Sequence, residues 1–81
     1  MKFHVEFNYT SESREKALRF LRGDGLKEGG VKVKGAWIAV QTGTGFAVVD
    51  TEDAAALYAL CSQWTDYGTL KVTPVIASGD L

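Results

Sequence analysis

Polar and apolar residues alternate without a break from Lys2 to Tyr9, with Phe3, Val5, Phe7 and Tyr9 on one side and Lys2, His4, Glu6 and Asn8 on the other. A period of two is the mark of a half-buried strand. The period then changes. Thr10, Ser11 and Ser13 offer N-cap oxygens, and Ala17, Leu18 and Leu21, with Phe20 beside them, form a stripe at helical spacing that ends near Arg22. Arg19 and Arg22 occupy the last turn, where cations suit the helix dipole, and Gly23 and Gly25 bracket Asp24 at the stop. After a polar connector from Leu26 to Gly30, a second strand is predicted over 31–40, VKVKGAWIAV, with Gly35 marking a bulge or a close backbone approach.

Gln41 to Gly45 has the length and glycine content of a hairpin turn. The strand that follows, Phe46 to Asp50, is apolar on both faces: Phe46 and Val48 on one, Ala47 and Val49 on the other. Such a strand belongs in the middle of a sheet, with something covering each side. Thr51, Glu52 and Asp53 supply a cap and acids for a second helix over 54–64, whose Leu57, Leu60, Cys61 and Trp64 fall at i, i+3, i+4 and i+7. A last strand, Leu70 to Ile76, contains Pro74, which cannot donate to a ladder and so predicts an edge. The order is β-α-β-β-α-β. It predicts an α+β, ferredoxin-like fold: a four-stranded antiparallel sheet with two helices on one face, in one domain over 1–81 whose last residues, 77–81, form a loose tail.

Composition narrows the function classes. The chain has 81 residues, so its core is small; 46% are hydrophobic and 23% charged, as in ordinary globular domains. The formal charge of −1 gives no footprint for nucleic acid or an anionic membrane. The sequence shows neither a signal peptide nor an apolar run of membrane-spanning length, which predicts a cytoplasmic protein. Cys61 is the single cysteine, so no intramolecular disulfide supports the core and no cysteine metal set exists. Neither metal nor cofactor is expected, which leaves a bound ligand or a partner subunit to support so small a core, the second being the common solution.

The segments EGGVKVKGAW and GTGFAVVDTEDAAALYALCSQWTDYGTLKVTPV, from Glu28 to Val75, resemble a small bacterial family of unknown function within the dimeric α/β-barrel superfamily. The specific features are Gly35-x-Trp37, Gly45-Phe46, Thr51-Glu52-Asp53, Trp64-x-Asp66 and Val72-Thr73-Pro74-Val75. The resemblance implies a homodimer whose two sheets pack face to face, and it implies no reaction. Family members often carry a histidine directly after the tryptophan, where this chain has Ile38. An activity resting on that histidine would be lost here or would draw its imidazole from His4.

Candidate chemistry is sparse. His4, the single histidine, shares a strand face with Glu6 and Asn8 and would be enclosed by a dimer, so it is a candidate general base or proton shuttle; the plain alternative is a polar interface contact. The resemblance to the superfamily, which includes cofactor-independent monooxygenases and isomerases, implies such an enzyme as the alternative function. No nucleophile accompanies it. Trp37, Tyr58, Trp64 and Tyr67, with Asp66, make a candidate pocket between helix and sheet for a small apolar or aromatic molecule, against the plain reading of aromatics as core. Cys61 lies in an apolar stripe and reads as an inert thiol. Gly43-Thr44-Gly45 joins two strands and opens no helix, so it is no phosphate loop. The RNA-recognition motif shares the element order, but Thr44 stands where its signature wants a basic residue and Val48 where it wants a second ring. The sequence therefore favours a homodimeric binding or accessory module.

Overall fold

A computed structural model describes residues 1–23, 25–27, 29–39 and 41–81. Asp24 at the expected helix stop, Glu28 in the connector and Val40 at the expected end of the second strand lie outside the described residues. The elements are β1 (Lys2–Tyr9), α1 (Arg14–Arg22), β2 (Lys32–Ile38), β3 (Thr44–Asp50), α2 (Ala54–Ser62) and β4 (Gly68–Val75), followed by a short 3-10 turn at Ser78–Asp80 in what the sequence reads as a loose tail. The four strands form one antiparallel sheet in the order β2-β3-β1-β4. This is the split β-α-β of the sequence reading, with β3 central and β4, which carries Pro74, at an edge.

Local chemistry places the ends of the elements. The Ser13 amide donates to Thr10 Oγ1 at 3.1 Å, so threonine, not a serine side chain on the helix itself, settles the entry to α1. The exit turns inward at Gly25, whose amide donates to the Phe20 carbonyl at 3.0 Å. A Cβ at position 25 would lie 2.6 Å from the Trp64 ring, so only glycine lets the chain pass there. At α2, Asp53 Oδ1 accepts from the amides of Ala55 and Ala56 at 2.9 and 3.2 Å, a direct N-cap. The buried Thr51 hydroxyl donates to the Gly30 carbonyl at 2.6 Å and ties the helix entry to the connector before β2.

Both helices cover one face of the sheet. Val5, Ala47, Val49 and Leu60 form one buried cluster, with Phe3, Val33, Leu57 and Cys61 packed against it. Phe7, Ala17 and Trp64 form the second, with Phe20, Leu21 and Tyr67 around it. Val49, the fully enclosed side chain, comes from the strand that the sequence marks as apolar on both faces.

The main departure from simple alternation lies in β2. Pairing with β3 passes from Val33↔Val49 to Gly35↔Val48, leaving Lys34 as an extra residue. Such a bulge reverses the side of every residue beyond it. By parity alone Trp37 belongs with Val33 on the helix side. After the bulge Trp37 pairs with Phe46, and Ala36 and Ile38 take the helix side instead.

Candidate functional site

The face of the sheet away from the helices carries a row of three rings. Trp37 on β2, Phe46 on β3 and His4 on β1 stack in sequence, with centroids 5.3 Å and 5.5 Å apart and planes inclined by 24° and 27°. Trp37 is 53% exposed and Phe46 37%. Gly35 makes room for the indole: a Cβ there would sit 2.5 Å from it. Phe46 lies opposite Glu6 and Val48 opposite His4 in the β1–β3 register, so the apolar centre of this face comes from β3. A polar line runs beside the rings, where Thr44 Oγ1 donates to Asn8 Oδ1 at 2.7 Å and Asn8 Nδ2 donates to Glu6 Oε2 at 3.3 Å.

His4 is half-buried, and its imidazole has no hydrogen-bond partner among the described residues. Glu6, the carboxylate two residues on, is engaged with Asn8. A proton relay through His4 therefore has no built partner on its own strand.

The remaining candidates from the sequence divide between environments. Trp64 is 6% exposed and sits among Phe7, Phe20 and Tyr67, at centroid distances of 4.9, 4.9 and 6.2 Å. Its Nε1 donates to the Gly25 carbonyl at 2.8 Å. Tyr67 is half-buried in the same cluster, whereas Asp66 is exposed. Tyr58 is 74% exposed and faces solvent. Of the expected grouping of Trp37, Tyr58, Trp64, Asp66 and Tyr67, Trp64 and Tyr67 share a core cluster and Trp37 and Trp64 both border an apolar cavity, although the bulge stacks the Trp37 ring on Phe46; Tyr58 falls off the inward stripe of α2.

A cavity of about 270 Å³ does lie between helices and sheet. Ala17, Leu18, Ala36, Ala47, Cys61 and Trp64 are among its walls. Burial pushes the Cys61 thiol above its ordinary value, so the group stays protonated. Sequence reasoning missed Phe46 as the ring joining Trp37 to His4, and Ala36 and Ala47 as the residues that open the cavity. The signals were the positions opposite His4 and Glu6 in an antiparallel β1–β3 pair and the glycine in β2. Among the described residues no group of three or more His, Cys, Asp or Glu could hold a metal ion, and no helix is long and apolar enough to cross a membrane.

The molecule is thus a small split β-α-β domain with an aromatic row on its open face and an apolar cavity under its helices. The chain belongs to the family described as a domain of unknown function, DUF3303, which matches residues 1–81. Comparison with curated proteins finds no match.

Proposed function

We propose that this protein is a homodimeric binding module for a small apolar or aromatic molecule, paired through the open face of its sheet. The row Trp37–Phe46–His4 carries the reading, because it leaves three stacked rings in water on a chain too small to waste apolar surface. The face has the anatomy of an interface, with rings and Val48 at the centre and Lys2, Lys32 and Lys71 toward the rim. Four strands about 4.8 Å apart, each about seven residues long, give roughly 450 Å² in plan, and side-chain relief raises this toward the roughly 600 Å² per partner of small stable interfaces. The sheet edges disfavour the alternative of edge pairing: β2 carries a bulge and lysines, and β4 carries Pro74. The occupant that this face best fits is a second copy of the chain.

Sedimentation velocity at micromolar concentration tests the pairing. The expected result is a dimer that Phe46→Lys converts to a folded monomer with an unchanged far-UV spectrum. A wild-type chain that sediments only as a monomer at that concentration overturns the pairing.

A further inference from the structure

We infer that the cavity between the helices and the sheet is a binding site for an uncharged hydrocarbon group, a single carbocyclic ring or a short alkyl chain. This rests on the reading of the protein as a binding module, but not on its pairing, since the cavity is built by the helices over the sheet and only Trp37 and Phe46 of the aromatic row border it. Its volume, about 270 Å³, exceeds the roughly 150 Å³ at which an engineered apolar cavity stays dry and takes up benzene. It falls just short of the roughly 300–1,000 Å³ of pockets for drug-sized ligands. One ring, or a chain of several carbons, fits that interval.

The space has an identifiable origin. Small residues meet there from three elements: Ala36 on β2 and Gly45 and Ala47 on β3 form the floor, and Ala17 on α1 lies across from them. Leu18 and Trp64 wall it. The bulge contributes directly, because without it the floor position of Ala36 would belong to a neighbour of opposite parity.

The walls also define what cannot bind. Among the described residues no charged side chain lines the cavity. The Trp64 N–H is already given to the Gly25 carbonyl, and Cys61 is a protonated thiol. Half-buried Tyr9 supplies a hydroxyl and Trp37 an indole N–H, polar groups that suit a neutral ligand. A carboxylate or ammonium placed inside would lose its hydration with no counter-charge to replace it.

Trp64, a buried wall of the cavity, makes the test direct. In ¹⁵N-labelled protein, toluene is expected to shift the indole N–H signal of Trp64, with that of Trp37, which also borders the cavity, free to follow it, whereas benzoate should bind at least about a hundredfold more weakly. Ala47→Leu and Cys61→Leu, introduced separately, fill the cavity from the sheet and from the helix; each is expected to weaken toluene binding at least tenfold while the melting temperature holds or rises. Should Ala47→Leu fail to fold, Cys61→Leu carries the test. Toluene shifts confined to Trp37 and unchanged by Ala47→Leu and Cys61→Leu would overturn the cavity site while sparing the binding-module reading. Equal binding of toluene and benzoate at Trp64 would overturn the ligand class. No shift at either tryptophan would overturn the cavity site and ligand binding together, with the sedimentation result still deciding the pairing.

Discussion

Trp64 and Trp37 both border the cavity, but the Trp64 ring is buried in the core and the Trp37 ring stacks on the open face, and their surroundings differ in burial and hydrogen bonding. Trp64 is enclosed by Phe7, Phe20 and Tyr67 and has its N–H satisfied by the Gly25 carbonyl. Trp37 lies over Gly35, touches Phe46 on one flank and is half open to water. The helix side is covered by the chain's own helices; the open side is not. An aromatic residue on a strand is therefore core only where another element covers it, and the side it takes depends on register, which a single extra residue reverses.

The contrast can be broken most forcefully at Trp64. Trp64→Ala should destabilise the fold by about 3–5 kcal/mol in urea denaturation, since it removes the centre of one core cluster. Trp37→Ala should leave the stability of the monomer within about 1 kcal/mol and weaken self-association by about 2 kcal/mol or more, as read by sedimentation equilibrium. If the two substitutions cost the same in denaturation at a concentration where only monomer is present, the two faces are not different in kind. Next in size, Asp53→Ala removes the cap of α2 and should cost about 1 kcal/mol of unfolding free energy without altering association.

The smallest effect is electrostatic. The α-amino group of Met1 is bonded to Glu52 and to Asp50, and the two carboxylates raise its pKa above the ordinary 8.0. In return the hydrogen bond from that ammonium holds the Asp50 carboxyl below its ordinary 3.8. The raised amine contributes below pH 8.0 and loses that contribution as pH rises through its folded value; the depressed carboxyl contributes above pH 3.8 and loses it as pH falls through its folded value. Melting temperature measured against pH should thus be flat between these limits and fall gently outside them. Because the groups are exposed, high salt should flatten both flanks.

Much of the molecule is legible in the residues. The alternation of β1 gives the helix-facing set Phe3, Val5, Phe7 and Tyr9 and the open set with His4, and both appear as read. The two-faced apolarity of 46–49 puts β3 inside the sheet, and Asp53 caps α2, whereas Glu52, also expected to serve the helix start, lies outside it and bonds the Met1 amine. The pocket was less legible. Tyr58 lies one residue off the inward stripe of α2, a rotation of about 100° that sends it to solvent. Ala36 and Ala47 look unremarkable one at a time; only their meeting with Ala17 across the helix–sheet gap makes a cavity of them.

The sequence by itself determined the element order, the edge position of β4, the capping of α2 and the side taken by each residue wherever strict alternation holds, because these depend on local sterics and on a period that cannot drift. Tertiary structure decided the side of Trp37 and with it both candidate surfaces. Whether Gly35 bulges or simply continues the strand depends on how β2 pairs with β3, and that pairing is set by the burial of Val33 against Val49 on one side and by the space the indole finds over Gly35 on the other.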